Sequence, residues 1–195
     1  MKNFEIHSGR AVVLARDDID TDQIVPAEFC RRVVKSGYAD ALFANWRKEP
    51  GFVLGRPESQ GASVLVAGRD FGIGSSREHA VWALKDGGFR VVVAAGFGDI
   101  FRRNALNNGL LPLDLPYAEL GRLAGQVAAH PGLEVVVDLR DCTLRLGGKT
   151  WQFEVEERGR RMLLHGEDAI EAVLRQGDLI SAHEARRPAW LPTVG

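Results

Sequence analysis

The chain alternates between short apolar runs and segments whose apolar residues recur at helical spacing. Continuous apolar runs of this length predict buried strands, and they occupy residues 10–15, 63–67, 90–95 and 110–113. Helical periodicity between and after them predicts helices, which cover residues 77–85, 99–107 and 117–129. The resulting β-α-β-α-β order is typical of a parallel sheet flanked by helices.

The last third of the chain has a different pattern. Residues 133–139, 143–146 and 150–155 alternate around the Gly147-Gly148 pair, which predicts an antiparallel hairpin. Helical spacing returns at residues 168–176 and 179–184. We therefore expect a single mixed α/β domain over residues 1–195, with an antiparallel C-terminal portion.

The region after the first predicted strand is less regular. Pro26 is well placed to start a short helix over residues 27–34. Glycines and prolines interrupt residues 35–61, which we interpret as a structured loop region with potential mobility. Its aromatic residues either pack on the core or line a pocket.

Composition excludes several classes of protein. The 195 residues are 45% hydrophobic and 26% charged, with a net charge of −1 and no basic run. Nucleic-acid or anionic-membrane binding therefore has no electrostatic support. No stretch reaches the ~18 apolar residues of a membrane span, and the start lacks an apolar signal core, so we expect a cytoplasmic protein. The two cysteines, Cys30 and Cys142, are too few to ligate an iron–sulfur cluster, and no Cys/His spacing indicates a metal site.

The turn between the second strand and its helix carries the candidate chemistry. Gly72 and Gly74 permit a sharp turn. Ser75 and Ser76 then fall where we expect the N-cap of the next helix, whose free amides also attract anions. Arg77 adds a guanidinium with the geometry to bind a carboxylate. On the pattern alone, helix capping is favoured over a dicarboxylate-binding corner.

An acidic segment precedes this turn in the chain. Four of the six residues 17–22 are aspartates. The pattern alone favours a solvated turn whose aspartates cap a helix. The functional alternative requires Asp22 to face the serine turn, where it would orient a serine or an arginine.

Four segments together resemble those of bacterial isopropylmalate dehydratase small subunits. The family patterns are DxDTDxIIP, NFGCGSSREHA, FADIF and NNGLLP. The corresponding segments here are DIDTDQIVP (18–26), DFGIGSSREHA (70–80), FGDIF (97–101) and NNGLLP (107–112). They occur in the family's order over nearly the whole chain.

The resemblance implies a fold, an activity and a partner. The fold would be the β/β/α swivelling domain of the aconitase type. The activity would be a hydro-lyase of leucine biosynthesis, which isomerises 2-isopropylmalate to 3-isopropylmalate by dehydration and rehydration. The cofactor, a 4Fe–4S cluster whose open iron takes the leaving hydroxyl, would reside on a separate large subunit and not on this chain.

Motif matching also implies residue roles. Ser75 would act as the base, as an alkoxide whose charge is stabilised by helix-end amides and by Arg77. Ser76 and Arg77 would hold a substrate carboxylate, and Asp22 would orient this group.

A specificity loop is implied after the first motif. Its apolar residues are candidates for contact with the alkyl group of the substrate, although each is equally suited to packing in the core. They are Phe29, Val33, Val34 and Tyr38.

Departures from the family pattern leave the substrate open. Ile73 replaces a cysteine, Asp70 replaces an asparagine, and residues 165–172 lack the family's GLDDI run. A dehydratase for methylmalate/citraconate or another branched hydroxy diacid is one alternative. A stand-alone dicarboxylate-binding module is another, and a serine hydrolase with His79 as base is a third.

Overall fold

The protein is built around one seven-stranded sheet. The computed structural model describes residues 2–75, 77–188 and 190. The strands are β1 (Ile6–Val13), β2 (Val64–Phe71), β3 (Val91–Phe97), β4 (Leu111–Asp114), β5 (Glu134–Asp138), β6 (Thr143–Leu146) and β7 (Lys149–Gln152). Their order in the sheet is β4-β3-β2-β1-β5-β6-β7.

Helices follow or cover these strands. They are α1 (Thr21–Ile24), α2 (His79–Asp86), α3 (Asp99–Asn107), α4 (Tyr117–Ala129), α5 (Glu157–His165), α6 (Ala169–Leu174) and α7 (Gly177–Glu184). Short 3₁₀ turns lie at Ala27–Arg31, Trp46–Lys48, Val53–Gly55 and Pro57–Ser59. None of the helices in the described ranges is long and apolar enough to cross a membrane.

The sheet has a parallel half and an antiparallel half, as predicted. Strands β1 to β4 pair in parallel, and β5, β6 and β7 pair antiparallel, with β5 joined to β1. The predicted hairpin is confirmed, because Gly147 (φ 55°) and Gly148 (φ 79°) supply the two left-handed residues of a tight turn between β6 and β7.

Side-chain alternation along the strands builds a core on each face of the sheet. On β2, Leu65 enters one core together with residues of α2, whereas Val64 and Val66 enter the other core together with residues of α4. Burial on both faces explains why the parallel strands are continuous apolar runs and do not alternate with polar residues.

The irregular segment 35–61 packs on the first of these cores. The Phe43 and Trp46 rings stack with centroids 5.2 Å apart, and Phe52 is 8% exposed. Both predicted roles are observed: these aromatic residues pack on the core, and Phe52 also lines a surface pocket beside Arg16 and Arg56. The mobility of the segment stays a prediction.

Three elements differ from the predictions, and distant contacts decide the second and third of them. The helix expected over residues 27–34 is only a 3₁₀ turn, Ala27–Arg31, and Arg32 is already extended. Strand β1 begins at Ile6 rather than at residue 10, because its first half pairs with β5. Helix α5 was not predicted from its charged sequence. It packs on α3, with Gly159 so close to Leu106 that a Cβ would lie 2.7 Å from Leu106 Cδ1.

The parallel strands bring several connecting segments to one edge of the sheet. The segment after β1, the turn after β2 and the start of α3 after β3 all leave from the carboxyl ends of neighbouring strands. Ligand sites of open α/β sheets lie at this edge.

Candidate active site

The acidic segment and the serine turn lie side by side at the carboxyl edge of the sheet. The Gly72 N–H donates to the Ile19 carbonyl at 2.7 Å, and the Thr21 N–H donates to the Ile73 carbonyl at 3.0 Å. Asp20 and Ile73 form an isolated parallel bridge. These bonds extend the pairing of β1 and β2 beyond the strands, so the two predicted motifs form one surface.

Two aspartates of the acidic segment have different partners, one in helix α1 and one in the serine turn. Asp20 is the N-cap of α1, where its carboxylate accepts a hydrogen bond from the Gln23 N–H at 2.8 Å. The Asp20 N–H in turn donates to the side-chain oxygen of Gln23 at 2.9 Å. Asp22 instead accepts a hydrogen bond from the guanidinium of Arg77. The capping interpretation is therefore confirmed for Asp20. Asp22 faces the turn and contacts its arginine, and a functional role for Asp22 stays a prediction.

Ser75 lies in an exposed turn ahead of the helix. The expectation that it caps α2 is wrong, because α2 begins at His79 with Glu78 as its N-cap. The Ser75 carbonyl accepts from the Arg77 N–H at 2.8 Å and from the Thr21 hydroxyl. Its own hydroxyl has no hydrogen-bond partner in the described part of the chain, so it is open to a ligand.

The two residues expected to hold a carboxylate differ in what the structure describes. Arg77 has a side chain that is 29% exposed, and its donors other than the one to Asp22 have no partner among the described residues. Ser76 lies outside the described residues, and its role stays a prediction.

The backbone of the turn requires glycine at two positions. Gly72 (φ 73°) and Gly74 (φ 82°) both adopt left-handed conformations. Gly72 is also covered by α3, because a Cβ there would lie 2.3 Å from Cγ of Phe101. The turn is therefore pressed against the helix that follows β3.

Asn108 is a residue of the site region to which the sequence analysis assigned no role. Its Oδ1 accepts from Trp82 Nε1 at 3.1 Å, and its Nδ2 donates to Glu78 Oε1 at 2.6 Å. The Lys85 ammonium donates to its carbonyl. Asn108 thereby attaches α2, and the turn before it, to the end of α3. The NNGLLP resemblance was the signal that pointed to it.

His79 is held by aromatic rings and not by the serine. Its ring centroid lies 5.5 Å from that of Tyr38 and 4.8 Å from that of Trp82. Burial, and then the charge of Arg77, lower the pKa of His79 below 6.5. No hydrogen bond joins it to Ser75 within the described ranges. The serine-hydrolase alternative therefore has no base hydrogen-bonded to Ser75 in the described part of the chain.

The four candidate specificity residues occupy different environments. Val33 is 100% exposed and Val34 is 56% exposed. Phe29 packs partly buried against the core. Tyr38 is fully buried, and its hydroxyl lies 3.0 Å and 2.9 Å from the carbonyls of Arg32 and Val34. Tyr38 thus supports the backbone of this segment from below, and the two valines form its surface.

The described residues do not fit an iron–sulfur cluster. Cys30 and Cys142 are free thiols that pack against the cores on opposite faces of the sheet. No group of three or more histidine, cysteine or acidic residues with metal-site geometry occurs among the residues that the structure describes. Cluster ligation requires several thiolates at one place, so these residues provide no such set.

Comparison with known proteins assigns the class. The family model of the aconitase C-terminal domain matches residues 1–118. A solved structure of 3-isopropylmalate dehydratase from Methanocaldococcus jannaschii superposes with a TM-score of 0.67 at 31% identity, over 92% of this chain and 99% of that one. The fold is therefore the aconitase-type swivelling domain expected from the resemblance.

Curated relatives narrow the assignment. The 3-isopropylmalate dehydratase small subunit of Acidothermus cellulolyticus is 53% identical over 100% of this chain and 98% of its own length. That of Salinispora tropica is 50% identical over the full length of both. The chain belongs to the family of 3-isopropylmalate dehydratase small subunits.

Proposed function

We propose that this chain is the small subunit of a two-chain hydro-lyase that interconverts 2-isopropylmalate and 3-isopropylmalate in leucine biosynthesis. The observation that carries the proposal is the bond between Asp22 and Arg77, which brings the two motifs together beside the open hydroxyl of Ser75. The substrate class is supported by 53% and 50% identity, over the whole of this chain, to two 3-isopropylmalate dehydratase small subunits.

The reaction requires a base and a carboxylate clamp. Dehydration removes a proton from one carbon of the hydroxy diacid and hydroxide from its neighbour, giving an alkene and water. Rehydration returns the proton and the hydroxyl to exchanged carbons. Ser75 takes and returns the proton. Its alkoxide is stabilised by the charge of Arg77 two residues later, where water is excluded by the partner.

Binding of the substrate depends on the arginine. The Arg77 guanidinium, with Ser76, receives a substrate carboxylate through charge-assisted hydrogen bonds. Asp22 occupies one side of the guanidinium and leaves the other side for the ligand. Fixing the carboxylate places the neighbouring carbon at Ser75, which lowers the entropic cost of proton transfer.

The proposed site is half of an active site. The turn is open to solvent, and the described residues offer no cluster ligands. The large subunit is therefore proposed to close over this edge of the sheet and to carry the 4Fe–4S cluster on its own cysteines.

The test is the activity of a reconstituted complex. The chain is mixed under anaerobic conditions with its cognate large subunit, and alkene formation from isopropylmalate is followed by absorbance. Ser75→Ala is expected to lower kcat by at least about 100-fold, the usual contribution of a general base, with assembly unchanged in gel filtration. Ser8→Ala, at an exposed serine that donates to Glu134, is the matched control and is expected to keep the wild-type kcat.

Three outcomes would contradict the proposal. Wild-type turnover by Ser75→Ala would remove the serine as the base. A much higher kcat/KM for methylmalate than for isopropylmalate would replace the substrate. Tight diacid binding by the isolated chain, without activity in any complex, would favour the stand-alone binding module.

A further inference from the structure

We propose that Thr21 is a positioning residue for Ser75: its buried hydroxyl holds the backbone carbonyl of Ser75 and so determines where the serine side chain stands. The inference rests on the proposed role of Ser75 as base. It concerns a buried residue that is neither the proposed base nor part of the proposed carboxylate clamp.

Thr21 is a buried residue. It is the first residue of α1 and is 1% exposed. A buried hydroxyl needs a hydrogen-bond partner, since leaving it unpaired costs about 1–3 kcal/mol. Its Oγ1 donates to the Ser75 carbonyl, which lies 54 positions away in the chain. The partner of this buried group is therefore the backbone of the proposed base.

Apart from the bond from Thr21, Ser75 has one hydrogen bond among the described residues. Ser75 follows Gly74, which adopts φ 82°, and precedes the start of α2 at His79, so it belongs to neither a strand nor a helix. The other bond to its carbonyl comes from the Arg77 N–H. That bond is local. Distant residues hold the turn on either side of Ser75, at Ile73 and at Arg77, and the Thr21 hydroxyl supplies the long-range hydrogen bond to Ser75 itself among the described residues.

The short helix α1 contacts both the proposed base and the proposed carboxylate clamp. Thr21 and Asp22 are adjacent in α1, one buried and one exposed. The buried side chain holds Ser75 and the exposed one holds Arg77. Helix α1 thereby sets the distance between the base and the carboxylate clamp. A misplacement of about 1 Å at such a site is enough to cost about 100-fold in rate.

The test uses two pairs of variants in the complex with the large subunit. Thr21→Val keeps the shape of threonine and removes its hydroxyl. Thr21→Ala and Thr21→Ser share the loss of the methyl group and differ only in the hydroxyl. We expect kcat to fall about 10–100-fold in Thr21→Val relative to wild type, and by a similar factor in Thr21→Ala relative to Thr21→Ser. KM is expected to stay within about twofold, because Arg77 still binds the carboxylate.

The control is a buried threonine away from the site. Thr143 in β6 is 8% exposed, and its hydroxyl has no hydrogen-bond partner among the described residues. Thr143→Val is expected to leave kcat unchanged.

Two results would overturn the inference. One is a wild-type kcat in Thr21→Val; the other is an equal loss in Thr21→Ser and Thr21→Ala, which would indicate packing rather than the hydroxyl. If Thr21→Val does not fold, the Ser and Ala pair decides alone. Failure of the proposed function is separate, because the wild-type complex would then be inactive on isopropylmalate or Ser75→Ala would be active.

Discussion

Asp22 accepts a hydrogen bond from Arg77, although 55 positions separate them in the chain. Their side chains are 49% and 29% exposed. An ion pair that is this accessible to water contributes about 0.2–1 kcal/mol to stability. We propose that its effect is mainly geometric: it fixes the guanidinium, whose other donors have no partner among the described residues and can bind a ligand.

Asp22→Asn is expected to weaken substrate binding and leave stability nearly unchanged. The amide no longer holds the guanidinium by charge, so KM for the diacid should rise about 10-fold, while the free energy of unfolding falls by less than about 1 kcal/mol. Steady-state kinetics of the complex and urea unfolding of the chain measure the two quantities.

The matched control for this prediction is Asp17→Asn. Asp17 lies in the same acidic segment and forms an exposed pair with Arg69, whose backbone and side-chain hydrogen bonds lower the pKa of Asp17. It has no contact with the serine turn among the described residues, so KM should stay at the wild-type value. An unchanged KM in Asp22→Asn would contradict the clamp.

Gly72→Ala is expected to destabilise the chain more than Gly74→Ala. Both glycines are left-handed, which costs an L-residue about 1–2 kcal/mol. At Gly72 the new methyl group would also lie 2.3 Å from Phe101, and such overpacking costs about 1–3 kcal/mol more. At Gly74 the nearest atom, Asp20 Cβ, is at an ordinary 3.4 Å. Equal losses in denaturant unfolding would show that α3 does not press on the turn.

Asn108→Ala is expected to lower the free energy of unfolding by about 1–3 kcal/mol. The change leaves Trp82 Nε1 and Glu78 Oε1 without the partners they have now, and partly buried polar groups are costly when unpaired. The neighbouring Asn107 is exposed, so Asn107→Ala should change stability by less than about 0.5 kcal/mol. Chemical denaturation monitored by tryptophan fluorescence compares the two, and similar losses would argue against the network.

His7 is expected to make stability fall as the pH is lowered. Its Nε2 lies 2.8 Å from Ser63 Oγ. Burial, and then the charge of Arg90, lower the pKa of His7 below 6.5. Below that pH the unfolded chain binds a proton that the folded chain resists, so the free energy of unfolding decreases with falling pH and is unaffected above it.

The measurement is urea unfolding at about pH 7.5 and about pH 5.5. The decrease should be smaller in His7→Gln, which keeps a hydrogen-bonding side chain but does not titrate. Part of it should remain, because the pKa of His79 is lowered in the same direction. A pH dependence identical to that of wild type would contradict the assignment to His7.

Local sequence signals were sufficient to predict the bounds of helices that are flanked by glycine or proline. The predicted bounds of α3 and α4 agree with the structure, because Gly98 and Gly109 flank the first and Pro116 and the Pro131-Gly132 pair flank the second. Distant contacts decided two of the elements that differ from the predictions. Pairing with β5 extends β1, and packing on α3 stabilises the charged α5.

In the candidate site, too, local sequence was sufficient for some features, and distant contacts decided the others. Residue types and order in the chain were sufficient to name Ser75 and Arg77 as candidates and to imply the family, since glycine, hydroxyl and guanidinium groups follow one another within one turn. The roles of the two residues stay predictions. Motif matching also pointed to Asp22 among the four aspartates, and the structure places its carboxylate against Arg77. The bond from Thr21 to Ser75, the burial of Tyr38 and the true start of α2 were beyond the sequence. The bond from Thr21 to Ser75 depends on the parallel pairing of β1 and β2, which places segments more than 50 positions apart against each other. Tyr38 packs against His79 and Trp82 of α2, which are also distant in the chain. Contacts of this range arise from the folded chain and not from a local sequence pattern.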